Sequence, residues 1–286
     1  MSSPYLQGEA LASAIAQSAA KLTEAFGAAP TFAVVLGSGW AGASEGLQDV
    51  QRLSYAELPG WPLSKVHGHV NEVVVGRTAA GTRVAMLRGR AHTYESGDCT
   101  GMAASIRSLK AWGVQVLVLT NASGSLRQHQ PPGSLMLISD HINAPQRSPL
   151  VGAQGNDRFV DMSTAYDLEL RQTSRALAQQ LDQRLCEGTY CWALGPQFET
   201  PAEIRMFAAW GADAVGMSTV PDTILARHAG LRVLGLALIT NMAAGLSAEA
   251  LTHELTMREA KESGERAAGF LTHLLNRLSE LDSLKG

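Results

Sequence analysis

Short apolar runs alternate with polar segments along most of the chain, and the pattern is clearest in residues 188–241. Three apolar runs of strand length are separated there by two segments with helical spacing, which predicts strand, helix, strand, helix, strand. Strands connected in this way are parallel and bring their carboxyl ends to one edge of a sheet. We therefore expect four polar or flexible residues to converge on one pocket: Glu199, Met217, Ser218 and Asn241.

Two helix starts in this region are marked by threonine and proline. Residues 200–203, Thr-Pro-Ala-Glu, have the form of a capping box in which Glu203 reaches back to the N-cap residue. Glu199 precedes the cap and is left free, and the positive helix end favours its ionised form. Residues 219–222, Thr-Val-Pro-Asp, repeat the arrangement, which leaves the Ser218 hydroxyl unclaimed at a place suited to an anion such as phosphate.

Buried strands in the first half are predicted at residues 31–36, 72–76, 82–87 and 114–120. The first leads into Gly-Ser-Gly-Trp-Ala-Gly at residues 37–42, a match to the G-x-G-x-x-G pattern. A dinucleotide-binding fold would continue with a regular helix and a second strand. The pattern of apolar and polar positions is interrupted in residues 44–62, and it predicts no such strand. The alternative is a glycine turn whose amides and Ser38 hydroxyl hold a phosphate.

The densest polar stretch of the first half is residues 88–95, directly after a predicted strand. Arg90 and His92 alternate there, so both point to one side if the strand continues, and this pair suits a phosphate dianion. His67 and His69 are two alternating histidines, but no further ligands accompany them, so a loop feature is favoured over a metal site.

Composition indicates an ordinary soluble globule, with 45% hydrophobic and 17% charged residues. The net charge of −3 does not indicate a basic surface for nucleic-acid binding. No apolar run could span a bilayer or serve as a signal core, and three unpaired cysteines indicate reduced thiols, so we predict a cytoplasmic protein without a metal. No linker interrupts the pattern, which predicts one α/β domain over residues 1–286 that ends in an amphipathic packing helix at residues 252–284.

These motifs resemble the trimeric class of purine nucleoside phosphorylases. The matching segments are residues 188–190, 195–200, 215–221, 226–228 and 239–241, and the likeness extends over roughly residues 30–253. The resemblance implies a three-layer α/β/α domain with a central mixed, mostly parallel sheet. It also implies reversible phosphorolysis of a purine ribonucleoside or deoxyribonucleoside to the free base and the sugar 1-phosphate, with inorganic phosphate as co-substrate and no cofactor.

Residue roles are implied at the positions that match the family's motifs. The implied phosphate ligands are Ser38, His69, Arg90, His92, Ser218 and the backbone at Ala122. The implied nucleoside contacts are Tyr94, Tyr190, Phe198, Glu199, Met217, Asn241 and His253. Catalysis would rest on Glu199, Asn241 and His92. Phe159, in the irregular segment 144–164, would reach the ribose site of a neighbouring subunit in a homotrimer.

Base choice follows from two of these side chains. An ionised Glu199 can only accept a hydrogen bond, which suits N1–H of a 6-oxopurine, and Asn241 can donate toward O6 and N7. Inosine, guanosine or xanthosine is therefore predicted as substrate, and adenosine is disfavoured. The alternatives are a methylthioadenosine phosphorylase, whose branch has an acidic residue where Asn241 stands, a nucleoside-binding module without catalysis, and a dehydrogenase that uses the glycine-rich turn.

Overall fold

The computed structural model of the chain describes residues 3–66, 68–247 and 252–285, except for the side chains at positions 253 and 255. The strands in this part are β1 (Phe32–Val35), β2 (Gln48–Ser54), β3 (Glu72–Arg77), β4 (Arg83–Leu87), β5 (Val116–Ser125), β6 (Leu135–Asn143), β7 (Leu185–Trp192), β8 (Ala214–Gly216) and β9 (Arg232–Met242). The α-helices are α1 (Gly8–Phe26), α2 (Gly42–Glu45), α3 (Thr93–Ser96), α4 (Ala103–Trp112), α5 (Leu168–Gln180), α6 (Pro201–Ala209), α7 (Val220–His228) and α8 (His253–Leu278).

All of these strands belong to one mixed sheet with the order β2-β3-β4-β1-β5-β8-β7-β6-β9, and β9 also pairs with β5. The last five strands therefore close into a ring. The predicted parallel arrangement is confirmed for β7 and β8, but it is wrong for β9, which is antiparallel to β6 and so runs opposite to β7 and β8. A register shift between Ser123 and Gly124 bends the β5–β9 ribbon, and the end of β5 then pairs with β8 and closes the ring.

Helices cover both faces of the sheet, as the three-layer prediction expects. One apolar core contains Leu22 of α1, Ile106 of α4 and Leu225 of α7, and a second contains Leu170 of α5 and Leu271 of α8. Strand β1 is buried at every position because it is covered from both sides. Within the described residues, no helix is long and apolar enough to cross a membrane.

The segment 44–62 differs from its prediction because it contains strand β2. This strand is exposed along almost its whole length and lies at the edge of the sheet, antiparallel to β3. An edge strand without a buried face has no apolar alternation in its sequence, which explains why the pattern did not indicate it. The position of β2 also removes the dinucleotide-binding alternative, because β3 and β4 lie between β2 and β1 in the sheet, whereas that fold places the second strand beside the first.

Candidate active site

A cavity of about 330 Å³ opens where the ends of β5, β8 and β9 meet. This volume is in the range of small-molecule sites. The predicted site residues that line it are Ser38, His69, Arg90, His92, Tyr94, Ala122, Phe198, Glu199, Met217, Ser218 and Asn241. Predicted site residues from seven separate segments of the chain therefore share one cavity.

Arg90 is the cation of this cavity, although its side chain is only 2% exposed. Its Nη1 donates to the Thr120 carbonyl at 3.0 Å and to the Ser218 hydroxyl at 3.1 Å. Its Nε lies 2.8 Å from a carboxylate oxygen of Asp222, whereas Nη2 has no hydrogen-bond partner among the described residues. A buried donor without a partner is costly unless a ligand satisfies it, so Nη2 is available for an anion.

The glycine turn at residues 37–39 presses closely against β5. The Gly37 amide donates to the Thr120 hydroxyl at 3.0 Å, and a Cβ atom at Gly37 would lie 2.5 Å from the Thr120 carbonyl oxygen. Gly39 adopts a φ of +86°, which side chains rarely adopt. Glycine at both positions therefore allows the turn to bring Ser38 to the cavity wall.

Three aromatic rings stack along another wall of the cavity. The rings of His69 and His92 lie 5.4 Å apart, and those of His92 and Tyr94 lie 4.8 Å apart. Glu95 fixes the central ring, because its carboxylate accepts from the His92 amide at 2.7 Å and contacts His92 Nδ1 at 3.2 Å. An ionised carboxylate can only accept, so Nδ1 carries a proton and Nε2 is the nitrogen left for a ligand.

The ionisation of Glu95 and His69 supports this arrangement. Burial alone would raise the pKa of Glu95, but hydrogen bonds from the His92 side chain and amide and from the Lys65 amide lower it to about 2. Burial and the nearby charges of His92 and Arg90 lower the pKa of His69 to about 4. His69 is thus neutral at pH 7, and its Nδ1 accepts from the Arg90 amide at 3.2 Å, which places its proton on Nε2.

The second predicted capping box, at residues 219–222, is wrong. Thr219 makes no side-chain cap and adopts φ +72° and ψ −49°, with the Val220 amide donating to the Ser218 carbonyl at 2.8 Å, as in a γ-turn. Its hydroxyl accepts instead from Asn121 Nδ2 at 2.9 Å. The Ser218 hydroxyl is not unclaimed either, since Arg90 donates to it, although Ser218 still lines the cavity.

Glu199 and Asn241 bring a carboxylate and an amide to the same cavity. The capping box at residues 200–203 is confirmed, and it leaves Glu199 outside the capping hydrogen bonds. Burial raises the pKa of Glu199, so the expected preference of the helix end for its ionised form does not dominate. The Asn241 Nδ2 donates to the Met242 carbonyl at 3.0 Å, and Oδ1 accepts from the Thr240 hydroxyl at 3.0 Å. One amide N–H of Asn241 therefore remains for a ligand.

Tyr190 does not line this cavity, so the structure does not bring it together with the other predicted nucleoside contacts. It is fully buried, and its hydroxyl oxygen lies 3.3 Å from both the amide and the carbonyl of Ser218. A Cβ atom at Gly216 would lie 2.5 Å from that hydroxyl. Tyr190 thus packs behind the backbone of residues 216–218 and supports it.

Helix α8 contributes more than packing, because Thr256 and Met257 line the cavity. The side chain of His253 and the whole of His67 lie outside the described residues. Phe159 is 75% exposed and does not line the cavity of its own chain; the Arg158 guanidinium lies 5.0 Å from its ring centre. In the described part of the chain, no group of three or more His, Cys, Asp or Glu residues could hold a metal ion.

Two further residues, Glu95 and Asp222, shape the site although the sequence predicted no role for either of them. Glu95 follows His92 by three residues, a spacing that could have indicated a hydrogen bond between them. Asp222 gave no such signal, because its partner Arg90 lies far away in the chain.

Comparisons of the sequence and of the structure with known proteins agree on one family. Residues 31–276 match the model of the phosphorylase superfamily. The chain is 43% identical over 244 residues to purine nucleoside phosphorylase 1 of Geobacillus stearothermophilus, which covers 84% of this chain and 89% of that protein. Isoform 2 of purine nucleoside phosphorylase from Schistosoma mansoni, in complex with cytosine and ribose-1-phosphate, superposes with a TM-score of 0.86 at 32% identity over 93% of this chain and 96% of that one. A schistosoma purine nucleoside phosphorylase in complex with hypoxanthine also has a TM-score of 0.86, at 29% identity over 92% and 96%.

Proposed function

The chain belongs to the phosphorylase superfamily, and we propose that it acts there as a purine nucleoside phosphorylase. The reaction is the reversible phosphorolysis of 6-oxopurine ribonucleosides or deoxyribonucleosides to the free base and the sugar 1-phosphate, in purine salvage. One observation carries the proposal: a single cavity is lined both by an anion-binding cluster and by a carboxylate and amide that suit a purine edge. The anion-binding cluster consists of Ser38, His69, Arg90, His92 and Ser218.

The anion-binding cluster would hold the phosphate co-substrate. Arg90 supplies the buried charge and the donor Nη2, and neutral His69 supplies a donor at Nε2. The hydroxyls of Ser38 and Ser218 and the backbone at Ala122 add short polar groups. Hydrogen bonds from a charged donor to an anion are about twice as strong as neutral ones, so Arg90 should dominate phosphate affinity.

Glu199 and Asn241 would hold the base, with Phe198 beside them. Glu199 accepts from N1–H, and the free N–H of Asn241 donates toward the O6 and N7 edge. Tyr94 and Met217 also line the cavity and would contact the ribose, and His253 would address its 5′-hydroxyl. A chain with this arrangement favours inosine, guanosine or xanthosine over adenosine.

Bond cleavage separates charge between sugar and base. A phosphate oxygen bonds to the anomeric carbon while the glycosidic bond breaks. The electron pair of the glycosidic bond passes to the base. The phosphate dianion stabilises the positive anomeric carbon, and Asn241 stabilises the negative charge that grows on the base. The proton that the phosphate loses in forming the sugar 1-phosphate balances the proton that the leaving base gains.

We also propose a cytoplasmic homotrimer with shared active sites. The exposure of Phe159 supports this proposal, because a large apolar ring that is 75% exposed gains little from its own chain. Its ring would cover the ribose site of the neighbouring subunit. The free cysteines Cys99, Cys186 and Cys191 support the cytoplasmic location, where thiols stay reduced.

The test is the absorbance change of inosine with and without phosphate. Conversion to hypoxanthine that depends on phosphate is expected, with adenosine far less reactive. Binding of inosine without conversion would indicate a nucleoside-binding module. Conversion of methylthioadenosine in preference to inosine would indicate the related phosphorylase branch.

A further inference from the structure

Asp222 is a buried carboxylate with no part in the reaction described above. It lies in the first turn of α7, its side chain is 5% exposed, and its Oδ2 is 2.8 Å from Arg90 Nε. Neither atom has a hydrogen-bond partner among the described residues, so the contact is a close ion pair and not an aligned hydrogen bond. Asp222 does not line the 330 Å³ cavity.

The surroundings of the guanidinium fix its orientation. Nε faces Asp222, and Nη1 is held by the Thr120 carbonyl and the Ser218 hydroxyl. A guanidinium is planar and rigid, so two fixed nitrogens determine the direction of the third. The third is Nη2, the buried donor that remains without a partner in the described part of the chain.

The charge of Asp222 is needed because Arg90 is buried. A buried ion whose partner is removed carries an uncompensated desolvation cost, and it rearranges or draws in water to reduce that cost. Burial raises the pKa of Asp222, and the charges of Arg90 and His92 oppose that rise. The two side chains thus hold each other in place before any ligand arrives.

We propose that Asp222 is a positioning residue for phosphate: it holds Arg90 by Nε and Oδ2 so that Nη2 is presented to the phosphate ion. The proposal rests on the proposed function, since it takes phosphate as the ligand of Arg90. Asp222 acts through Arg90 and touches neither substrate. Its removal should therefore weaken the use of phosphate and leave the use of nucleoside unchanged.

The first experiment measures both KM values in Asp222→Asn, with the other substrate saturating. We expect the phosphate KM to rise about tenfold, the size of one charged hydrogen bond, and the inosine KM to stay within about twofold. Glu187→Gln is the matched control, because Glu187 also pairs with arginines, Arg171 and Arg175, but lies outside the cavity. A phosphate KM that is unchanged or lower in Asp222→Asn would overturn the proposal.

A double-mutant cycle separates positioning from a purely structural role. In an Arg90→Gln background, Asp222→Asn should change kcat/KM for phosphate by less than about twofold, because the residue through which it acts is gone. A loss that persists in this background would overturn the proposal.

Folding of the single variant provides a further outcome. If Asp222→Asn does not fold, Arg90→Gln with Asp222→Asn must fold, since the unpaired guanidinium is then removed. Failure of the double variant to fold would assign Asp222 a structural role independent of Arg90. A wild-type chain without phosphate-dependent activity would refute the proposed function instead, and the two failures are therefore distinguishable.

Discussion

Replacing Asn241 with aspartate tests how the cavity selects the purine base, because the change exchanges an amide donor for an acceptor. Asn241 is 7% exposed, and its Nδ2 donates to the Met242 carbonyl at 3.0 Å. An ionised carboxylate would place an acceptor against that carbonyl. The new carboxyl group should therefore be protonated, with its proton toward Met242, which leaves acceptors for a 6-amino group.

The size of the change follows from the hydrogen bonds that are exchanged. Inosine loses one donor at its O6 and N7 edge, and adenosine gains one acceptor for its 6-amino group, each at about 1 to 1.5 kcal/mol. The ratio of kcat/KM for inosine to that for adenosine should therefore fall by roughly 30- to 160-fold in Asn241→Asp. Absolute adenosine activity should stay low, because Glu199 still faces the lone pair of adenine N1.

The assay compares kcat/KM for inosine and adenosine at saturating phosphate in the wild type and the variant. Asn143→Asp is the matched control: Asn143 Nδ2 also donates to a backbone carbonyl, that of Arg147 at 2.8 Å, but Asn143 does not line the cavity. The control should leave the ratio unchanged. A wild type that prefers adenosine, or an Asn241→Asp ratio that does not move, would refute the assignment of Asn241 to the 6-oxopurine edge.

Three further predictions concern the subunit contact and the ionisable groups. Phe159→Ala should lower activity with little change in Tm, and mixed trimers of Phe159→Ala and Glu199→Ala subunits should regain activity; no recovery at any mixing ratio would argue against shared sites. Because burial raises the pKa of Glu199 and only its carboxylate can accept N1–H, kcat/KM for inosine should fall as the pH drops through that raised pKa. Glu199→Gln should lack this acid limb, and an unaltered limb would assign it to another group. Glu95→Gln should raise the phosphate KM about tenfold, since His92 loses the carboxylate that fixes its ring; a larger rise in the inosine KM would contradict this.

The sequence by itself determined features that depend on residues close along the chain. Thr200 and Glu203 are three positions apart, so the pattern alone predicted their capping box, which is confirmed. Apolar runs predicted the buried strands β1, β3, β4 and β5 because burial on both faces requires apolar residues throughout. Polar residues at the ends of such runs indicated a common pocket, and Glu199, Ser218 and Asn241 do line one cavity.

Tertiary structure alone decided the partners of the polar side chains at residues 219–222. Residues 219–222 have the same local pattern as residues 200–203, yet Asp222 pairs with Arg90 and Thr219 accepts from Asn121. Likewise, the direction of β9 follows from the bend in β5 and the closure of the strand ring, which no local pattern encodes. The physical reason is that a buried charge without a partner costs more than an exposed cap contributes, so a partner brought near by the fold prevails over a neighbour in sequence.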